Sequence, residues 1–261
     1  MTRHLEDYEA LDALAWQVEL GADEALSEEP INRFEIVEAV PVPEPATTTE
    51  TADQAPPAQP AGPGDGGAGE IAAACQTLDD LRNALEAFEG CALKKGAKNT
   101  VFSDGNPDAR VMIVGEAPGR EEDIAGKPFV GRSGQLLDKM LAAIGLSRAS
   151  AVPDQSVYIT NVMPWRPPQN RDPSTDEMLM MKAFLTRHIG LVAPEFIVTM
   201  GNPATKTVLD VTTGITRMRG NWSEFGTTPV LPMFHPAALL RDPLKKREAW
   251  ADLLSLKARM K

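Results

Sequence analysis

Residues 111–141, VMIVGEAPGREEDIAGKPFVGRSGQLLDKML, constrain this chain more than any other stretch. Val111-Met112-Ile113-Val114 has the length and apolar character of a buried strand. Gly115 ends that run, and Pro118-Gly119 forces a turn. A polar, acidic loop is expected next, holding Glu116, Glu121, Glu122 and Asp123. Gly126, Gly131 and Gly134 keep the backbone thin around an exposed Phe129. From Ser133 a helix pattern runs, with Leu136, Leu137, Met140, Leu141 and Ile144 on one side. Open parallel sheets place ligands where a strand enters a Gly-rich loop and then a helix. A plain connection has no need of four acids, three glycines and an exposed aromatic in one loop, so a binding site is expected here.

Charge divides the chain. Residues 1–70 carry 16 acids and 2 bases, net −14, whereas residues 71–261 carry 21 acids and 24 bases, net +3. A mildly basic body with an acidic tail points to a nucleic-acid partner more than the overall charge of −11 suggests. The two cysteines, Cys75 and Cys91, are too few for a disulfide framework or a four-thiolate metal site. No signal peptide and no apolar run near membrane-spanning length is seen, so a cytoplasmic, nucleoid-associated protein is expected.

Residues 1–35 are acidic, with an amphipathic helix expected over 5–20 that is a candidate for a protein partner. Residues 36–70, rich in Pro, Ala, Gly, Thr and Glu, read as a linker without a core. The domain is expected over 71–261. Thr77 is placed to cap a helix reaching Phe88, and 99–103 reads as a short strand. Strands are expected at 157–160, 196–200 and 229–234, and helices at 174–191, 203–210 and 245–259. This alternation predicts an α/β, three-layer α/β/α sandwich with a central, mainly parallel four-stranded sheet.

Strand C-termini in such a sheet converge on one edge. Those positions hold Gly115 and Glu116, Asn161, Gly201 and Asn202, and His235. One acid, two amides and an imidazole are thus brought together by topology. His188 is read as a helix C-terminal cap. Arg166, Asn170 and Arg171, in a loop stiffened by Pro167, Pro168 and Pro173, suit a phosphate clamp.

GEAPGREEDIAGKPFVGRSGQLLDKML, VYITNVMPWRPPQNRDP and MFHPAALLR resemble, in this order, the signature blocks of the uracil-DNA glycosylase superfamily. The motifs are most similar to its family 4, iron–sulfur type, and the resemblance covers roughly residues 75–260. It implies a monomeric DNA-repair enzyme that flips uracil out of DNA and hydrolyses the N-glycosidic bond. Phe129 matches the aromatic that stacks on the flipped base, and Asn161 the amide that reads its edge. His235 matches the imidazole that stabilises uracil O2, and Glu116 and Glu122 match acids linked to the attacking water. Gly115 and Ala117 flank the first acid of the pocket. The loop Pro236 to Arg241 matches a DNA wedge, with Leu239 and Leu240 as apolar plugs and Arg241 on the backbone.

The chain departs from that pattern in two places. Of the four cluster-cysteine positions only Cys91 is retained; Phe88, Trp165 and Met181 occupy the others, so no iron–sulfur cluster and no metal are expected. In the best-known uracil-specific family, Asp stands at the position of Ala117 and Tyr at that of Gly119, so a wider pocket is expected here. Two rival readings are a catalytically weak DNA-binding or polymerase-associated module and a nucleotide-binding α/β protein. The latter lacks the Lys and glycine spacing of a phosphate loop.

Overall fold

The computed structural model describes residues 67–261 except residue 172. The helix expected over residues 5–20 and nearly all of the linker lie outside the described residues. In chain order the structure runs α1 (Ala68–Ala74), α2 (Leu78–Ala87), β1 (Asp104–Gly105), β2 (Val111–Gly115), α3 (Arg120–Ala125) and α4 (Arg132–Ile144). It continues through β3 (Val157–Asn161), α5 (Thr175–Val192), β4 (Phe196–Met200), α6 (Asn202–Leu209) and α7 (Ile215–Met218). It closes with β5 (Ser223–Phe225), β6 (Thr228–Met233), α8 (Pro236–Arg241) and α9 (Lys246–Arg259).

The sheet order is β1-β3-β2-β4-β6-β5. Its four inner strands are parallel, and β1 and β5 add antiparallel edges. The sheet therefore has six strands where four were expected. The missing two are two and three residues long and half-exposed, so they carry no apolar signal. β2, β3 and β4 are buried at every position, as parallel strands covered on both faces must be. One apolar cluster joins α1, α2 and α5 to one face of the sheet. A second joins Leu137, Leu141 and Ile144 of α4 and Leu253 and Leu256 of α9 to the other.

Local chemistry explains the helix starts. The Thr77 hydroxyl accepts from the Asp80 N–H at 3.0 Å while the Asp80 carboxylate accepts from the Thr77 N–H at 2.9 Å. Ser174 and Glu177 repeat the arrangement at α5. The first described helix begins at Ala68, inside the last residues read as linker, because Ala68 and Ala72 are buried in the first cluster.

Residues 99–103 are not a strand. Val101 and Phe102 are buried, but their backbone bonds leave the ladder: Val101 N–H donates to Pro164 O at 2.8 Å, and the Thr160 hydroxyl donates to Phe102 O at 2.7 Å. The acidic loop after Gly119 is also corrected, since Arg120–Ala125 is a helix. Among the described residues no helix is long and apolar enough to cross a membrane.

Leu137 is fully buried whereas Leu254 is 45 % exposed. Leu137→Ala should cost about 2–5 kcal/mol, from lost burial plus the cavity left behind. Leu254→Ala should stay within about 0.5 kcal/mol. Urea unfolding of the two variants beside the parent checks the pair.

Candidate active site at the strand ends

Parallel register places the candidate side chains. Gly115 pairs with Asn161 across β2 and β3. Beyond the strands, Val162 N–H donates to Gly115 O at 3.0 Å and Met163 N–H to Glu116 O at 2.9 Å, so the two chains leave the sheet side by side. On the other flank of β2, Gly201 N–H donates to Met233 O at 2.9 Å, bringing the end of β4 beside the segment that carries His235. Strand order reverses direction around β2, which is where open α/β sheets form a crevice. A cleft of about 390 Å³ lies there, lined by Glu116, Gly201, Asn202, Lys206, His235 and Arg241 among others. A larger groove of about 750 Å³ between α1 and α5 gathers small apolar side chains with Lys182 and Arg187, but no acid, amide or imidazole.

Gly115 sits where Phe129 and Asn161 meet. A Cβ at that position would lie 2.3 Å from Asn161 Oδ1 and 2.5 Å from Phe129 Cε2. The Phe129 ring stacks on His235, with centroids 5.3 Å apart and planes at 27°. Phe129, Asn161 and His235 therefore form one cluster around Gly115, with Glu116 beside it. Phe129 was expected to be exposed; it is 5 % exposed because its ring lies against this cluster. Its backbone has φ +53°, a left-handed conformation that costs a non-glycine residue on the order of 1 kcal/mol.

His235 has a defined tautomer. Ala237 N–H donates to its Nδ1 at 3.1 Å, so in the neutral ring the proton sits on Nε2. Burial, assisted by the charge of Arg241 and opposed by Glu122, pushes the imidazole pKa down to about 4. At neutral pH the side chain is an uncharged N–H donor facing the cleft.

Glu122 is placed differently from Glu116. Its carboxylate is 8 % exposed and accepts from three backbone N–H groups: Gly119 at 3.1 Å, Val130 at 3.0 Å and Gly131 at 2.9 Å. A Cβ on Gly119 would lie 2.7 Å from Glu122 Oε2, so a side chain there would displace this anchored group. Asp123 is likewise buried and accepts from Lys98 N–H at 2.8 Å. Of the four acids of this segment, Glu116 lines the cleft, and Glu122 and Asp123 hold backbone. Ala117 packs against the first apolar cluster.

Other expectations are revised. Arg171 grips Glu177 with both guanidinium nitrogens, at 2.9 and 2.7 Å, and Arg166 is half-buried. Asn170 lies in a short 3₁₀ turn, Pro168–Asn170. Asn202 reached the strand ends as expected, yet its Oδ1 accepts from Ile215 N–H at 2.6 Å. The segment after His235 is helix α8 rather than a loop, because His235 caps it and Pro236 opens it. Leu239 is 1 % exposed and packs with Phe234, Ile215 and Ala249, so it is a core residue and not a plug. Leu240, 39 % exposed, and Arg241 remain on the surface. His188 is no cap: it is buried against Phe102, with 4.5 Å between ring centroids, and its Nε2 shares a 2.9 Å hydrogen bond with the Tyr158 hydroxyl. Burial, with Arg82 nearby, pushes its pKa down to about 3.

Lys206 lines the cleft, and Arg148 contacts the backbone of the Phe129 loop; sequence reasoning picked out neither. Each is a single cation without a local pattern to mark it.

Phe88, Cys91, Trp165 and Met181 are each at most 5 % exposed and belong to one apolar cluster. Phe88 meets Phe184 edge-on at 5.2 Å, and Trp165 donates its indole N–H to Thr100 at 3.1 Å. This set offers one thiol, which does not fit a four-iron cluster. Among the described residues no group of three or more His, Cys, Asp or Glu is placed to hold a metal ion.

The model of the uracil DNA glycosylase superfamily matches residues 102–254. The chain is 38 % identical over 185 residues to a type-4 uracil-DNA glycosylase of Archaeoglobus fulgidus, covering 68 % of this chain and 90 % of that protein. It is 41 % identical over 169 residues to the type-4 uracil-DNA glycosylase of Thermotoga maritima, covering 64 % and 85 %. A DNA polymerase of Bacillus phage SP01 is 32 % identical over 168 residues, 62 % of this chain but 18 % of that protein.

The two depressed histidines set a pH dependence. Unfolded histidines protonate near pH 6.5, whereas folded His235 and His188 do so near 4 and 3. Between these values the unfolded chain binds more protons, so stability falls as pH drops below about 6.5 and gains nothing from this source above it. Urea unfolding at pH 7.5, 5.5 and 4.5 should show this loss. The slope should be shallower in His188→Gln, which keeps a hydrogen-bonding group and cannot titrate.

Proposed function

The chain belongs to the uracil-DNA glycosylase superfamily, and from that premise we infer that it removes uracil from DNA by hydrolysing the N-glycosidic bond. The observation that carries this reading is the convergence of Phe129, Asn161 and His235 on Gly115, with Glu116 at the adjoining cleft. A base inside a duplex is out of reach of a hydrolytic site and has to be flipped out. Phe129 supplies a flat apolar face for it. Asn161 can accept from uracil N3–H and donate to O4. Cytosine presents the opposite pattern and would leave buried groups unpaired, at about 1–3 kcal/mol each.

Bond cleavage leaves a cationic sugar and an anionic base. His235 is already neutral and already carries its proton on Nε2, so it can donate to uracil O2 as charge develops there. One such donor contributes roughly 3–4 kcal/mol to the transition state. Glu116, at the cleft, orients water and favours the sugar cation. Glu122 is assigned to holding the loop, because its oxygens are engaged by three backbone amides. Leu240 and Arg241 are the exposed residues of α8 suited to the DNA stack and backbone.

The activity needs no iron–sulfur cluster in this chain. That reading rests on the donor set: two cysteines in the whole sequence, and Phe88, Trp165 and Met181 packed where the resemblance would put three thiolates. Ala117 and Gly119 leave the pocket mouth without the large side chain that would exclude bulkier bases.

Release of uracil from a labelled U:G duplex in EDTA tests the function. Wild type should cleave, and His235→Ala should lose roughly 10²–10³-fold in rate. Gly115→Ala should lose activity as well, by driving a methyl group into Asn161 and Phe129. Absence of wild-type cleavage with DNA binding intact would favour the binding-module reading. Because His235 is neutral well below pH 6.5, kcat/KM should show no acid limb near that value. Purified protein should carry no iron or acid-labile sulfide, and Cys91→Ala should keep its activity; stoichiometric iron would overturn the cofactor reading. Duplexes containing hypoxanthine or ethenocytosine extend the assay, and release of neither would limit the enzyme to uracil.

A further inference from the structure

We propose that Arg148 is a positioning residue for base binding, holding Phe129 in the backbone conformation that presents its ring to the pocket. The proposal rests on the reading of Phe129 as the stacking platform. Arg148 lies in the connection between α4 and β3, about twenty residues beyond the loop it grips, and its side chain is 14 % exposed. Its Nη1 donates to Pro128 O at 2.9 Å and its Nη2 to Phe129 O at 3.0 Å.

Those two carbonyls belong to the two peptide planes that flank the Phe129 Cα. One guanidinium therefore restrains both backbone torsions of a residue held at φ +53°. The second plane is held at its other end too, since Val130 N–H donates to Glu122 Oε1 at 3.0 Å. Rotation of Phe129 to an ordinary extended backbone would turn these groups away from Arg148 and Glu122 together. The loop also lies directly on the helix below. A Cβ on Gly134 in α4 would lie 1.8 Å from Phe129 O.

Arg148 is itself held at its far side. Nε donates to Asp138 Oδ1 at 2.8 Å, and Nη1 lies 3.3 Å from Asp104 Oδ2. An arginine serving only a surface ion pair would face its carboxylates alone. Here two donors are turned to consecutive backbone carbonyls as well. Lysine keeps the charge but lacks the planar fork that reaches two carbonyls and two acids at once.

The test uses a single-stranded uracil oligonucleotide, so that duplex opening does not enter, with free uracil as inhibitor. Arg148→Ala and Arg148→Lys should lower kcat/KM roughly 10- to 100-fold, as loss of reactant positioning does. The inhibition constant for uracil should rise in parallel, a readout that a remote stability defect in a folded protein does not move. Combined with Phe129→Ala, the Arg148→Ala loss should largely vanish, because both changes remove one interaction. Folded Arg148→Ala with unchanged kcat/KM and uracil inhibition overturns the proposal, and so does a loss that adds in full to that of Phe129→Ala. Should Arg148→Ala fail to fold, Arg148→Lys and Asp138→Asn decide it: weaker uracil inhibition in both supports the clamp, and unchanged inhibition in both rejects it. If Phe129→Ala leaves uracil inhibition unchanged, the stacking reading fails and the clamp with it. If Phe129→Ala weakens it and Arg148→Ala does not, only the clamp fails.

Discussion

In-register parallel pairing of β2 with β3 on one side and β4 on the other is the constraint on which the site depends. Because β2 is buried on both faces and both edges, its C-terminus cannot shift without moving its neighbours. A slip of one residue would turn every side chain to the opposite face. The pairing brings Gly115 opposite Asn161, and the absence of a side chain at Gly115 lets Phe129 return over the strand end. β4 and β6 complete the arrangement, with Gly201 bonded to Met233 two residues before His235. Four chemically different groups, far apart along the chain, thus share one edge of the sheet.

Around this frame, charge is placed by burial. Glu122 and Asp123 are shielded carboxylates whose oxygens face backbone N–H groups, which a buried carboxylate needs to avoid a large desolvation cost. They shape the loops and leave Glu116 at the cleft. The same physics keeps His235 and His188 neutral, with different consequences. His188 spends its ring on Phe102 and Tyr158 inside the core, whereas His235 faces the cleft with its proton on Nε2.

The Phe129 loop shows how a strained residue is maintained. Its left-handed backbone is opposed by the ordinary preference of a bulky side chain and supported by charge-assisted hydrogen bonds from Arg148 and to Glu122. Such bonds are about twice as strong as neutral ones, enough to offset a local cost of this size. The opposite layer is ordinary close packing. Phe88, Trp165 and Met181 fill the space between α2, α5 and the loop after β3 with apolar volume.

The sequence by itself determined the layer architecture, the four buried strands, the helix cap at Thr77, and the residues that meet at the strand ends. These are local signals: apolar runs, capping pairs and the rule that strand C-termini converge. The edge strands β1 and β5 were not legible, because so few residues joined by backbone hydrogen bonds leave no apolar pattern. Tertiary structure alone decided which acid lines the cleft and which holds backbone. Glu116 and Glu122 are the same residue type, yet Glu116 lines the cleft while three backbone amides fold around Glu122. It also decided that Leu239 is core and Leu240 is surface, since a six-residue helix turns adjacent leucines to different sides. And it brought Arg148 to the carbonyls of a loop about twenty residues earlier, a contact that exists only once α4 has packed against the sheet.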